Sequence, residues 1–492
     1  MQLTEENATE ITKKSSIVLK SHLIDKFEDL SCNTIGHLIK FGQKYPYLLS
    51  CYSPGYLLMW RDYFNASYTT VAGCVVIRVL ISGKEKFFFP YCYQDSGDIN
   101  AALEAIEKYC AKKTIPLSFY VVPREMLPLV ALRYDNYTVN SNRNESEYIY
   151  LSEDMRLFSG KKYSGQRNHV NKFTKLFPNA LFRPLNDTEE EKEKLEQFWS
   201  RFENDFRKGN IISARYELKK AHEMLSLPCS DSDFSALIEL DGEIISFCFG
   251  EIIGNMLIIH IEKSLDDYPG VYQFMVKNFA DKFGKEVKYI NRQDDEGSKG
   301  LRISKTQYQP IKIEKQISVE VHSELIRLKR IPHVKSERLT YSQIKESDIF
   351  EYNRLCLDEE LNKYWGYDYR NDLQGELTSD YFYHCANFDF KNKVGLSMAV
   401  RLQDKMIGEV VINEFDFRGS ANIGIRLLPE YMGKGYGKEA FAFACDYALY
   451  GIGLKRVTAY CYRENIASYN MIRSVMTFIG EDEIYYYFQK IV

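Results

Sequence analysis

A chain of 492 residues is longer than one hydrophobic core accommodates, so two to four domains are expected. Hydrophobic residues at 45% and charged residues at 27% describe a folded chain, and a formal charge of -4 excludes attraction to nucleic acid through overall charge. Eleven scattered cysteines without a CxxC pair, and eight histidines without an HExxH or other ligand spacing, exclude a structural zinc or disulfide framework and predict no bound metal. The acidic N-terminus MQLTEENATEITKK is no secretory signal, and the apolar stretch at 71–81 is short and broken by Arg78, so no transmembrane segment and a cytoplasmic location are expected.

Helical spacing of apolar residues opens the chain at 18–44. Two strands follow around a Ser82-Gly83 turn, then a helix over 98–113 capped by Asp98, then a strand that Pro123 ends. This first unit closes near 147–151. The second unit has a basic helix within 159–178, a charged helix at 187–206 and a helix at 213–225. Strands then reverse at Asp241-Gly242 and between Gly250 and Gly254, before a helix with Pro269 early and Gly284 near its end and a strand at 286–293. The third unit repeats the order: a strand at 336–344, a helix, a strand pair turning at Asp404-Lys405, a strand from Ser420, a helix from about Lys438 and a strand at 454–463. The repeat is one of architecture, with no shared short motif. It predicts units at 1–150 and 151–315, a connector at 316–332 and a last domain at 333–492.

The sharpest local feature lies at 425–449. A strand ends at Pro429, and Gly433, Gly435 and Gly437 immediately precede a helix. Glycines let a ligand approach the backbone, and a helix N-terminus offers unpaired amides and partial positive charge to a pyrophosphate. Lys434 and Lys438 add charge beside it. A Walker A loop is excluded by Met432 and Glu439, and the spacing is GxGxG rather than the GxGxxG of dinucleotide sites.

The region 333–492 resembles the GNAT acyltransferase family, and more closely its branch that acetylates ribosomal-protein N-termini. The resemblance rests on SERLT at 336–340, the IGEVVI strand, LPEYMGKGYGKEA and the ending GLKRVTAYCYRENIASYNMIRSVMTF. It implies acetyl-CoA or another acyl-CoA as cofactor, inserted where two strands splay, with its pyrophosphate on Gly433, Gly435 and Gly437. Asn465 matches the family's Asn near the CoA arm and Ser468 its common Ser or Ala. The chain departs from the pattern at Met432, where relatives carry Arg or Gln, at Asn422, where many carry Glu, and at Ile472, where many carry a Tyr acid. It also has Thr477-Phe478 in place of Gly-Phe.

Acyl transfer to an amine needs a neutral nucleophile, a group to take its proton and donors for the oxyanion. Glu409 and Glu414, on or beside the strand expected to face the acceptor, are the candidate bases, against the commoner role of a solvated edge carboxylate. Tyr469 and Tyr462 are the candidate acids, although among 37 tyrosines packing is the commoner role. The implied acceptor is an amine-bearing small molecule or a peptide N-terminus.

Residues 1–315 resemble the lysyltransferase-like domain that forms the soluble part of the phosphatidylglycerol lysyltransferases. The resemblance rests on KKYSGQRNHVNKF at 161–173 and YINRQDDEGSKGLRISKTQYQPI at 289–311. It implies two further GNAT-like lobes, and hence an α/β (α+β) chain of three tandem GNAT-like folds with twisted mixed sheets flanked by helices. Arg167, Asn168, Asn291, Arg292, Arg302 and Lys305 are the matched candidates for binding a substrate. The basic stretch 156–175 suits an aminoacyl-tRNA end or an anionic headgroup, with Tyr163 and Phe173 available for stacking. Three functions stay open at this point: an acyl-CoA-dependent N-acetyltransferase, an aminoacyl-tRNA-dependent transferase acting through 1–315, and a CoA-binding protein without turnover.

Overall fold

The computed structural model describes residues 23–31, 34–35, 47–186, 188–206, 219–220, 233–371, 373 and 375–492. Of the helix expected at 18–44, residues 23–31 are not helical and include a short strand at Glu28–Asp29, Thr34 and Ile35 are helical, and the remainder lies outside the described residues; of the helix expected at 213–225 only 219–220 are described, and these are helical.

The first sheet begins with β1 (Glu28–Asp29), β2 (Ser67–Val71), β3 (Cys74–Ile81), β4 (Lys84–Phe88), β5 (Tyr91–Cys92), β6 (Leu117–Val121) and β7 (Tyr137–Ser141). The β3–β4 turn is tight because Ser82 and Gly83 both take positive φ, 52° and 74°, the pairing that a twisted two-residue hairpin requires. Asp98 caps the helix Ile99–Lys112 as expected, its Oδ1 accepting from the amides of Asn100 (2.8 Å) and Ala101 (3.1 Å).

The second sheet is built from β8 (Glu147–Leu151), β9 (Leu181–Pro184), β10 (Asp233–Leu240), β11 (Glu243–Ile253), β12 (Met256–Ser264), β13 (Tyr289–Asn291) and β14 (Lys312–Glu314), in the order β14-β8-β13-β12-β11-β10-β9. The Asp241-Gly242 turn forms where the sequence places it, at φ 49° and 90°. The chain then returns to the first sheet. Strand β15 (Ile317–Val321) inserts between β6 and β7, completing the order β1-β2-β3-β4-β6-β15-β7. Its inward residues Ile317, Val319 and Val321 are buried. Part of the expected connector 316–332 is therefore an interior strand.

The third sheet is β16 (Val334–Lys335), β17 (Leu339–Ser342), β18 (Leu396–Leu402), β19 (Lys405–Asn413), β20 (Ser420–Leu427), β21 (Arg456–Tyr462), β22 (Thr477–Glu481) and β23 (Tyr485–Ile491), ordered β16-β17-β18-β19-β20-β21-β23-β22. The β18–β19 turn falls one residue earlier than expected, at Gln403-Asp404, because Leu402 pairs with Lys405 and Gln403 takes the left-handed conformation.

The mixed α/β sheets are as expected, but a tandem of three GNAT-like lobes is not what the chain forms. The first two sheets do not stand alone. Val75, Ile77, Phe88 and Val121 of the first share one apolar core with Tyr148, Leu237, Phe247, Leu257 and Ile290 of the second. Polar bonds reinforce that seam: buried Glu147 accepts from the amide and hydroxyl of Ser50 (2.7 and 2.9 Å), and buried Glu251 accepts from the Gly55 amide (3.0 Å). With β15 supplied from beyond the second sheet, residues 1–150 do not close a lobe of their own. The third sheet differs, since it completes itself with its own β22 and β23 around a separate core.

This organisation sets where the chain divides. A chain ending at Lys315 lacks β15 and three buried side chains worth about 1.5–3 kcal/mol each. It is expected to melt at lower temperature, and less cooperatively, than one ending at Arg330. Equal melting curves by circular dichroism would contradict a structural place for β15.

Candidate functional site

In the third sheet β19 and β20 pair along their length, from Gly408↔Leu427 to Asn413↔Asn422. The next pairing is short. The parallel ladder between β20 and β21 holds Ser420↔Arg456, Ala421↔Val457 and Asn422↔Thr458 and then stops. β20 continues to Leu427 and β21 to Tyr462 without a ladder between them, while β21 stays paired on its far side with β23. The two strands therefore open into a wedge whose facing backbone edges are free of sheet pairing among the described residues.

At the wide end of the wedge the chain turns into the glycine loop. Gly433 and Gly435 take φ of 72° and 81°, conformations that cost other residues strain. No atom lies within 4 Å of where a Gly433 Cβ would stand, and a Gly435 Cβ would meet Arg338 Nη2 at 3.3 Å. The helix Tyr436–Asp446 starts at Gly435 without a side-chain cap, which leaves its first amides to a ligand. Lys438 is exposed beside them, and the Lys434 ammonium is tied back to the Glu430 carbonyl at 2.7 Å.

Sequence reasoning missed Arg338. Its guanidinium donates to Glu439 (Nε, 2.7 Å) and to the Lys434 carbonyl (Nη1, 3.2 Å), and lies 4.7 Å from the Tyr436 ring centroid. It places a guanidinium beside Gly435, where the exposed Met432 side chain offers no charge. Open space, uncapped amides and a fixed guanidinium together fit a pyrophosphate. The only signal available in sequence was an arginine within the strand expected at 336–344, 95 residues from the loop.

At the narrow end stand Asn422, Glu414 and Tyr460. Asn422 occupies the last ladder pair; its Nδ2 donates to Glu414 Oε2 at 3.3 Å, and its buried Oδ1 has no hydrogen-bond partner. The Tyr460 hydroxyl donates to Glu414 Oε1 at 3.2 Å. Burial, then the adjacent Glu414 carboxylate, pushes the Tyr460 phenol above its ordinary pKa, which keeps it a donor.

Glu409 has a different situation. It is fully buried and paired with Arg426, which donates from Nε at 2.8 Å and also from Nη2, and which further contacts Asn362 and the Cys356 thiol. Trp365 covers the Arg426 guanidinium at 4.2 Å and presses on Gly424, where a Cβ would come within 2.9 Å of the indole. Burial pulls the Arg426 pKa down, but Glu409 outweighs it and holds the guanidinium charged. Breaking such a buried pair costs about 3–5 kcal/mol. The arrangement makes Glu409 part of the framework that fixes β20 to β19, with its second oxygen, Oε2, buried and without a hydrogen-bond partner.

Asn465 caps the helix Ile466–Arg473, its Oδ1 accepting from the Ser468 amide at 3.1 Å, so these two matched residues do meet. Tyr469 packs on Tyr486 and Phe488, with ring centroids 4.7 and 5.7 Å away, and its hydroxyl accepts from Arg473. Ile472 is buried in the domain core.

In the larger domain most of the matched candidates are engaged internally. Asn291 donates to Glu147 and to the Leu48 carbonyl. Arg292 is buried, pairs with Glu262 at 2.8 Å and lies 4.5 Å from the Tyr308 ring centroid. Arg302 clamps Asp295 with two donors, at 3.0 and 2.8 Å, and Lys305 donates to the Arg292 carbonyl at 2.7 Å. Arg167 donates to the Phe158 and Gly160 carbonyls, while Asn168, Lys172 and Lys175 are exposed on the helix Ser164–Leu176. Tyr163 and Phe173, expected to stack on a nucleotide, are instead fully buried. The polar motif at 289–308 thus folds onto itself, which sequence could not distinguish from an open binding loop. Among the described residues no group of His, Cys, Asp and Glu is arranged to hold a metal, and no helix is long and apolar enough to cross a membrane.

Comparison with known proteins agrees with this division. Residues 338–475 match the Acetyltransferase (GNAT) domain model, making this part an acetyltransferase domain of the kind that takes acyl-CoA. A protein of Mycoplasmoides gallisepticum without an assigned function is 28% identical over 195 residues, which is 40% of this chain and 62% of that protein. The uncharacterized N-acetyltransferase YnaD of Bacillus subtilis is 32% identical over 76 residues, 15% of this chain and 45% of its own. The chain thus spans less than two thirds of the length of these curated relatives. A solved structure of a conserved protein of unknown function from Bacteroides thetaiotaomicron is 23% identical, covers 60% of this chain and 99% of its own, and has a TM-score of 0.55. The model described as Phosphatidylglycerol lysyltransferase, C-terminal, matches residues 46–319 as one unit across both of the first two sheets. That single match overturns the expectation of two separate GNAT-like lobes there, and by it the chain belongs to the phosphatidylglycerol lysyltransferase C-terminal family, with a GNAT acetyltransferase domain following.

Proposed function

We propose that the chain is an acyl-CoA-dependent N-acyltransferase that moves an acetyl group to a primary amine in the wedge between β20 and β21. The observation that carries this is the ladder that stops at Asn422↔Thr458, together with the uncapped glycine-loop helix at its open end. Gly433, Gly435, Gly437, Lys438 and Arg338 would hold the pyrophosphate. The unpaired edge of β20 beyond Asn422 would pair with the pantetheine arm, and Asn465 and Ser468 would bound the arm on the β21 side. Bound acyl-CoA supplies the thioester. Glu414 is the base: it takes the proton of the attacking amine and returns it to the departing sulfur as the C–N bond forms and the thioester C–S bond breaks, and Tyr460 and Asn422 orient its carboxylate. Backbone N–H groups at the unpaired β20 edge hold the carbonyl oxygen as charge develops on it. Glu409 and Tyr469 are supports in this scheme, Glu409 through the Oε1 that it shares with Arg426 and Tyr469 through the hydroxyl that accepts from Arg473.

A second activity, aminoacyl-tRNA-dependent transfer by residues 46–319, is favoured by one observation: the exposed basic face of the helix Ser164–Leu176 with Lys172 and Lys175. Transfer RNA copurifying with the wild type and lost from a Lys172→Ala, Lys175→Ala double variant would support it.

Isothermal titration of CoA tests the main proposal. Gly435→Val is expected to abolish most binding, since a β-branched residue resists φ of 81° and fills the cradle. Arg338→Met should weaken binding by about 0.5–1.5 kcal/mol, one partly exposed charge-assisted contact. Affinities equal to wild type in both variants would reduce the loop to a structural turn.

The role of Glu414 is read separately. Glu414→Gln should lower acetyl transfer to amines about 10²–10⁴-fold with CoA affinity unchanged. Full activity in that variant would remove Glu414 from the scheme.

A further inference from the structure

The loop joining β19 to β20 is strained. Between Asn413 and Ser420 it takes left-handed φ at Glu414 (49°), Phe417 (58°) and Gly419 (99°), and two of these carry side chains that resist it. Within the loop, Asp416 Oδ1 accepts from the Arg418 and Ser420 amides at 2.9 and 2.8 Å. Its own domain also holds the loop at both sides of Phe417: Phe415 is buried in that domain's core, and the Lys455 and Arg456 amides donate to the Gly419 carbonyl at 2.8 and 3.2 Å. Phe417 and Arg418 between them are held by the other domain. Phe417 is buried in the apolar cluster of the first sheet, with Ala102, Ile106 and Val130 among its members, and not in the core of its own domain. The neighbouring Arg418 pairs at 3.0 Å with Glu107, a carboxylate that is 1% exposed and is also held by Arg133 (2.6 Å) and the Tyr134 hydroxyl (2.8 Å). A second ion pair between the domains, Lys455 with Asp135 at 2.9 Å, is solvent-exposed on both sides and adds little.

This anchor sits three residues after Glu414 and four before Asn422, the two residues at the narrow end of the wedge. We propose that Phe417 and Arg418 are positioning residues for the acyl-transfer cleft, seated in the lysyltransferase-like domain so that this domain sets where Glu414 and Asn422 stand. What the loop positions rests on the acyltransferase function proposed above; that the loop is anchored rests on the geometry alone. The CoA end of the cleft lies on the glycine-loop helix, away from the anchor, so the two should respond differently when the anchor is removed.

The test uses the full chain with Phe417→Ala, Arg418→Gln and Arg418→Lys. Hydrogen exchange is followed by mass spectrometry at 412–423 and 436–446, and acetyl transfer from acetyl-CoA is measured with two probes, a short peptide with a free α-amine and a linear diamine. Phe417→Ala and Arg418→Gln are expected to speed exchange at 412–423 about tenfold while 436–446 stays protected. The turnover number should fall about tenfold or more with the KM for acetyl-CoA unchanged. Arg418→Lys, which keeps the charge facing Glu107, should recover most of the rate. Unchanged exchange at 412–423 would overturn the proposal, and so would equal loosening of both segments, which marks a general stability effect. A wild type that transfers to neither probe, while 412–423 still loosens in the variants, would fail the acyltransferase function and support the anchoring.

Discussion

Three ladder pairs join β20 to β21, and the site follows from where that ladder stops. Backbone N–H and C=O groups inside a sheet are ordinarily paired, because leaving them without partners away from water is costly. Here each strand is secured on its other side, β20 by six pairs to β19 and β21 by seven to β23, so neither needs the other beyond Asn422 and Thr458. The Glu409–Arg426 pair and Trp365 against Gly424 hold β20 in place from the face of the sheet. The wedge is thus kept open by bonds elsewhere, and its edges remain able to accept an extended chain of amides such as a pantetheine arm.

Much of this was legible in the sequence, for reasons that differ from residue to residue. The glycine loop was readable because clustered glycines at a helix start express a local backbone requirement: Gly433 and Gly435 take left-handed φ, while Gly437, expected ahead of the helix, lies in its first turn. Hairpin turns at Ser82-Gly83 and Asp241-Gly242 were readable for the same reason. Arg338 was not, because its place beside Gly435 is made by tertiary folding across 97 residues. Glu409 and Glu414 look alike as carboxylates near one strand. Only the register, which sets Glu409 opposite Arg426 and Glu414 beyond the end of the ladder, tells a framework ion pair from a carboxylate at the narrow end of the wedge. The repeated order of elements suggested three equal lobes, but order does not say which sheets share a core or that β15 returns to the first one.

The two domains consequently do different physical work on one another. In the larger, Arg292, Arg302 and Lys305 of the polar motif are bonded to neighbouring protein groups, Arg292 in the interior and Arg302 partly exposed. The smaller has its open wedge, and the loop at the narrow end of that wedge leans on the larger through Phe417. Phe417 lies within the 338–475 match and its partners lie within 46–319, so the contact joins the two matched regions and belongs to neither family model by itself.

Whether acyl-CoA lies in the wedge is decided by a crystal structure of the protein with acetyl-CoA. Expected there are the pyrophosphate on the amides of the 433–438 loop beside Arg338, the pantetheine arm bonded along β20 beyond Asn422, and the acetyl group facing Glu414. Acetyl-CoA bound elsewhere, with β20 and β21 closed on each other, would contradict this placement.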